Sequence, residues 1–150
     1  MDTITVCKEL NATPQKAWET AMQPHLLASE MPGVEEVSIL SKKGGPHEIV
    51  QSVKWKGVIE AGPIRKVMVW IEKDLWTQEP LRCTFEQTEG SFKVYKGVWT
   101  FAPEGEGTLT TLTLEYDAGI PLVGAIVKKL LRKLIAENLQ ALLDALSAVL

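Results

Sequence analysis

The sequence predicts an α+β domain spanning residues 1–150: a seven-stranded antiparallel sheet curved around a long C-terminal helix, with two short helices after the first strand. Three observations predict it. Apolar residues alternate with a period of two through most of the chain up to residue 117. Short turns separate the alternating segments, which forces antiparallel pairing because a parallel pair needs a long crossover. From Leu122 onward the period changes to three and four, with no proline.

Each element has its own local reason. TITVCKEL at 3–10 sets Ile4, Val6 and Leu10 apart from Thr3, Thr5 and Glu9, as a strand does. In NATPQKAWETAM, Thr13 caps a helix, Pro14 suits its first turn, and Ala17, Trp18 and Ala21 form its apolar side. Pro24 opens a second short helix, PHLLASEM, and Pro32-Gly33 ends it. VEEVSIL then runs into the glycine-rich turn SKKGGPH, and HEIVQSVKWKGVIE follows with Ile49, Gln51, Val53 and Trp55 on one face. AGP at 61–63 separates it from IRKVMVWIEKDLW, and TQEP separates that from LRCTFEQTE. Gly90 permits the turn into VYKGVWTF, which Pro103 and EGEG stop, and TLTTLTLEYDA is a Thr-rich strand suited to a pleated surface. Gly119-Ile120-Pro121 marks the last junction. Val127, Leu130, Leu131, Leu134, Leu139, Leu142, Leu146 and Val149 stripe a helix from Leu122 to Leu150, with a kink point at Gly124. Such a helix of about 29 residues would reach on the order of 43 Å.

Composition narrows the function. A chain of this length buries roughly 68–70% of its unfolded surface, enough for its own core. It is 45% apolar and 23% charged, with a formal net charge of -3, so bulk nucleic-acid binding is not expected. MDTITVCKEL carries no basic segment followed by an apolar run, so no signal peptide is expected, and charges interrupt every apolar stretch well short of a membrane span. Cys7 and Cys83 make no disulfide framework and read as reduced thiols of a cytoplasmic protein. His25, His47, Cys7 and Cys83 lack ligand spacing, and no phosphate-binding glycine motif occurs, so neither a metal nor a cofactor is expected. His25 reads as a surface or capping group, since no nucleophile–base arrangement includes it.

In order along the chain, ATPQKAWE, MPGVEEV, EGSFKVYKGVWTFAP, GTLTTLTLEYDA and AENLQALLDAL resemble the START-like, helix-grip (SRPBCC) superfamily, in its polyketide cyclase/dehydrase and coenzyme Q-binding branch, known from bacteria. The resemblance covers essentially the whole chain. It implies a deep apolar cavity between sheet and long helix, holding a lipid, isoprenoid, quinone, polyketide or other bulky hydrophobic ligand. It also implies that Trp99 looks into this cavity, with Tyr95 and Phe101 on the same face and Gly97 leaving room. Packing of all three against the helix is the alternative. Trp99→Ala is accordingly expected to weaken ligand uptake more than stability.

The other ligand-binding candidates follow from strand parity: Gln51, Trp55, Trp70, Gln87, Leu112, Leu114 and Tyr116 on the strands, and Leu131, Leu134 and Asn138 on the helix. Gln51 and Gln87 lie on otherwise apolar faces, as cavity groups or as strand-end residues near water. Asn138 is either a cavity group or an edge residue. Glu72 and Tyr116 are the catalytic candidates. Glu72 shares parity with Met68, Trp70, Asp74 and Trp76, and an inward carboxyl would have a raised pKa suited to proton transfer. The rival register puts Val67, Val69 and Ile71 inside and Glu72 in water, and both registers are apolar enough. Lys128, Lys129, Arg132 and Lys133 read as a solvated helix face or as a contact with an anionic membrane, peripheral to the inner membrane. Lys54, Lys56, Arg65 and Lys66 bracket the 61–63 turn as a second basic rim.

Three functions compete. The first is a carrier or chaperone of a hydrophobic small molecule, monomeric or weakly dimeric, which needs only apolar surface and one or two polar anchors. The second is an aromatase/cyclase or dehydratase using polar groups in the cavity. Arg82 falls on the face opposite Phe85, so the inward arginines of some cyclases have no clear match. The third is a protein-interaction module, which would have a collapsed cavity and an exposed apolar patch.

Overall fold

The structure, a computed structural model, describes residues 1–61, 64–119 and 124–150. Its elements are β1 (Asp2–Leu10), α1 (Pro14–Ala21), α2 (Pro24–Ala28), β2 (Val34–Gly44), β3 (Glu48–Ala61), β4 (Ile64–Gln78), β5 (Leu81–Glu89), β6 (Val94–Glu104), β7 (Gly107–Asp117) and α3 (Ala125–Val149). The seven strands form one antiparallel sheet in the order β1-β7-β6-β5-β4-β3-β2. Every sequential pair from β2 to β7 is a neighbour, as tight turns require. The exception is β1, which closes on β7. The two short helices therefore carry the chain from one edge of the sheet to the other.

Local chemistry accounts for these joints. Thr13 Oγ1 accepts the backbone N–H of Lys16 at 3.3 Å and caps α1, with Pro14 in the first turn. Gly105 takes a φ of +57° in the turn from β6 to β7, where a side chain would be strained. Register shifts at Val34/Glu36 and Ile39/Ser41 leave extra residues on β2, and the shift at Ile71/Glu72 leaves Thr88 extra on β5; such bulges increase bend and twist.

Direct cross-strand partners line up as rows on the concave face. One row runs Ile49, Trp76, Cys83, Trp99, Leu112, Val6; the next runs Gln51, Asp74, Phe85, Gly97, Leu114, Ile4. On β7 the alternation is complete: Thr108, Thr110, Leu112, Leu114 and Tyr116 are buried and their neighbours are not. Buried threonines on such a face need partners. The hydroxyl of Thr108 donates to Ala12 O at 2.6 Å and that of Thr110 to Thr100 O at 3.0 Å.

The helix differs from its expected stripe. Its buried residues are Ile135, Leu139, Leu143, Ala145 and Leu146. Val127 and Leu130 are 50% and 38% exposed, and packing against the core begins at Leu131. Gly124 stands at the N-cap, and residues 120–123, with the predicted junction and helix start, lie outside the described residues.

Candidate functional site

Between the concave face, α2 and the middle of α3 lies a cavity of about 210 Å³. β3 and β4 supply its inner wall: Gln51, Trp55 and Gly57 from one, Met68, Trp70, Glu72, Asp74 and Trp76 from the other. Cys83 and Phe85, then Phe92, Tyr95, Trp99 and Leu112, continue it toward β7. Ile135, Asn138, Leu139, Ala141 and Leu142 close it from α3, and Leu27 and Met31 from the α2 side. Glu30, Pro32, Gly33 and Asn138 are the wall's exposed members and mark its mouth.

The wall is mainly aromatic. Trp55 and Trp70 are direct cross-strand partners with rings stacked at 6.2 Å and 12°. Trp70 continues to Tyr95 at 6.2 Å, and Tyr95 to Phe92 at 5.3 Å and Phe85 at 6.1 Å. A second group, Trp18, Trp76, Trp99 and Phe101, packs at centroid distances from 5.4 to 6.3 Å and joins the cavity to the core. Such ring pairs contribute about 0.5–1.5 kcal/mol beyond their burial.

The register left open at Trp70 is the one that brings Trp70, Glu72, Asp74 and Trp76 inward, with Val67 and Val69 each 42% exposed on the outer face. Two carboxyls therefore share one strand face at i and i+2. The Trp70 indole donates to Glu72 Oε1 at 2.9 Å. Asp74 is only 7% exposed. Burial first, then the charge of Glu72 and a hydrogen bond to it, push the Asp74 carboxyl well above the usual carboxylate range. Asp74 therefore holds its proton to higher pH than an ordinary aspartate does, with its hydrogen bond to Glu72. Burial, reinforced by these two carboxyls, also holds the Tyr95 phenol and the Cys83 thiol protonated.

Of the candidates named from sequence, Gln51, Trp55, Trp70, Glu72, Tyr95, Trp99, Leu112 and Asn138 stand on the wall. The others are placed elsewhere. Gln87 turns aside to donate from Nε2 to Phe92 O at 2.8 Å, pinning the β5–β6 connection. Phe101 is stacked behind Trp99, and Leu114 is fully buried opposite Gly97. Tyr116 sits behind Phe92, edge-on at 6.3 Å, so it does not share the cavity with Glu72. Leu131 and Leu134 are half-buried on α3, before the segment that reaches the cavity. The room left by Gly97 is taken by Phe85 rather than by the cavity: a β-carbon at Gly97 would come within 2.6 Å of Phe85 Cζ and collide with Thr113 O. Asp74, Trp76, Cys83 and Phe85 are wall residues that sequence reasoning did not single out. For Asp74 and Trp76 the available signal was parity with Trp70 on the same strand, and for Cys83 and Phe85 it was the apolar face they share with Leu81.

Lys128, Lys129, Arg132 and Lys133 are exposed, with Arg132 Nη2 donating to Thr3 O at 3.0 Å and Lys133 near Glu137 at 3.9 Å. The second basic rim is offset by acids: Glu35 pairs with Lys56 at 3.6 Å and Arg65 at 3.2 Å, and Glu60 with Arg65 at 3.4 Å. The side chain of Lys66 lies outside the described residues. Among the described residues, no helix is long and apolar enough to cross a membrane, and no group of three or more His, Cys, Asp or Glu is arranged to hold a metal ion.

A curved antiparallel sheet closed by one long helix over an apolar cavity defines the helix-grip class of ligand-binding folds. Within it, residues 1–150 match the family described as polyketide cyclase / dehydrase and lipid transport, and the chain belongs to that family. Among solved structures it is similar to TTHA0849 from Thermus thermophilus, at 31% identity and a TM-score of 0.87, covering 99% of this chain and 96% of that one. The Zhui aromatase/cyclase from Streptomyces sp. R1128 shares the fold at 19% identity and a TM-score of 0.79, covering 98% and 92%. A STAR-related lipid transfer protein from Xanthomonas axonopodis does so at 16% identity and a TM-score of 0.73, covering 97% and 84%. No functionally curated protein matches the sequence.

Proposed function

We propose that the protein binds a bulky hydrophobic small molecule in the cavity between sheet and α3 and serves as its carrier. The observation that carries this reading is the wall itself: an aromatic-lined space of about 210 Å³ with few polar groups, reached through a mouth beside α2. An open cavity of this kind also weighs against the interaction-module reading, which needs it collapsed. Native mass spectrometry of protein purified from its own host, followed by organic extraction, tests the proposal. A stoichiometric lipid, isoprenoid or quinone is the expected result. Bare-chain mass, together with no uptake of added hydrophobic ligand, would overturn it.

The carboxyl pair favours a second reading, acid–base catalysis of cyclisation or dehydration. Asp74 holds a proton beside the acceptor Glu72 on the cavity wall. Turnover of a β-hydroxyketone probe, lost in Glu72→Gln, would move the assignment from carrier to enzyme. Delivery at a membrane fits the first half of α3, where Ile126, Val127 and Leu130 are exposed beside Lys128, Lys129, Arg132 and Lys133. Each cation near an anionic surface contributes about 1 kcal/mol. Two unbonded cysteines, one of them exposed, fit a reducing compartment such as the cytoplasm.

A further inference from the structure

The cavity contains more hydrogen-bonding capacity than the protein uses. Gln51 is 1% exposed, and its Nε2 donates to Met22 O at 3.0 Å. A carbonyl oxygen can only accept, so the amide orientation is determined, and Oε1 is left without a partner. Directly across the β3–β4 ladder stands Asp74, whose Oδ1 is also buried and unpartnered. One step further along the same face, Trp76 Nε1 is a third buried group with no partner. All three residues line the cavity. Buried polar groups are nearly always satisfied, so three orphans around one space point to something that enters it.

We propose that Gln51 and Asp74 form a polar subsite that receives a hydrogen-bond donor of the ligand, a hydroxyl or an ammonium group, and turns away a carboxylate. This deepens the carrier reading and rests on it. Both free atoms are carbonyl-type acceptors, because Asp74 directs its proton to Glu72. A ligand carboxylate would meet two acceptors and the Glu72 charge, and among the described residues no Lys, Arg or His lines the cavity to offset them. A hydroxyl donates to Gln51 Oε1 or Asp74 Oδ1 and has lone pairs left for the Trp76 indole. An ammonium gains the Glu72 charge and the faces of Trp55, Trp70 and Tyr95. The subsite thus selects a ligand with an apolar body and a donor at its inner end, and it discriminates against fatty acids and other anionic lipids buried head-first.

Four probes with one bicyclic body test this in the full chain by equilibrium dialysis at pH 7: naphthalene, 2-naphthol, 2-naphthylmethylammonium and 2-naphthoate. The expected result is that naphthol, the ammonium, or both bind about tenfold tighter than naphthalene, and that naphthoate binds no tighter than naphthalene. Whichever donor binds more tightly identifies the subsite's preference between hydroxyl and ammonium. Equal affinity for all four, or tightest binding of naphthoate, overturns the subsite while leaving hydrophobic binding standing. No binding of any probe, naphthalene included, overturns the carrier reading and the subsite together. This ranking needs no variant. Gln51→Met should then reduce the ratio of naphthol to naphthalene affinity several-fold, and an undiminished ratio would remove Gln51 from the subsite. Asp74→Asn keeps an acceptor at Oδ1 and donates to Glu72, so it should retain the advantage. Its loss would overturn the acceptor role.

Discussion

Trp99→Ala separates wall from core. The indole is 5% exposed and stands in the centre of a continuous row between Cys83 and Leu112. It stacks on Phe101 at 5.4 Å and packs on Trp76 at 5.8 Å, and its Nε1 donates to Thr110 Oγ1 at 2.6 Å. Trp99 also lines the cavity. Truncating such a side chain costs about 3–5 kcal/mol, and losing the hydrogen bond adds about 1 kcal/mol. Domains of this kind are stable by about 5–15 kcal/mol, so the variant should lose about a quarter of its stability or more. The sequence by itself suggests that uptake falls more than stability. Urea unfolding followed by far-UV circular dichroism is the assay, because fluorescence would change with the deleted tryptophan. Trp99→Phe keeps most ring contacts and should lose only about 1 kcal/mol from the missing N–H, since Thr110 still donates to Thr100 O. If Trp99→Ala unfolds within about 1 kcal/mol of the unaltered protein at the same denaturant slope, Trp99 lines the cavity without supporting the core, and this reasoning fails.

Asp74 should make stability fall as pH rises. Its folded pKa lies above the unfolded 3.8, so the folded state holds the extra proton, and stability is lost from the unfolded value upward through the folded one. Asp74→Asn has no such proton, so urea midpoints measured from pH 5 to 9 should fall less in the variant. Parallel profiles would mean that Asp74 is not buried as described. Gly97→Ala should destabilise by about 1–3 kcal/mol through its collision with Phe85 and Thr113 O, measured the same way, and a neutral outcome would refute the Phe85–Gly97 pairing. With Ellman's reagent at pH 8, Cys7 should react and Cys83 should not, because burial and the neighbouring carboxyls oppose its thiolate. In guanidinium both should react, and two fast thiols in the native protein would contradict the closed wall around Cys83.

The amino-acid order by itself determined the seven strands, their antiparallel sense and the C-terminal helix. Alternation, turn residues and a change of period are local properties, and each is written within a few neighbouring residues. It also determined the aromatic wall in outline, since Trp55, Tyr95 and Trp99 fall on faces whose parity leaves little choice. Tertiary structure alone decided the face of β4. Val67, Val69 and Ile71 are as apolar as Met68, Trp70 and Trp76, so hydrophobicity does not break the tie. The stacking of Trp70 on Trp55 across the ladder does. That choice carries Glu72 and Asp74 inward, against the rule that carboxylates seek water; the Trp70 indole and the hydrogen bond between the two carboxyls satisfy the pair in part and leave Asp74 Oδ1 without a partner. The reach of α3 was decided in the same way: its apolar stripe continues to Val127, but the packing against the core begins only at Leu131. Periodicity reports which residues can be buried together. Whether a partner surface exists to bury them is a property of the assembled fold.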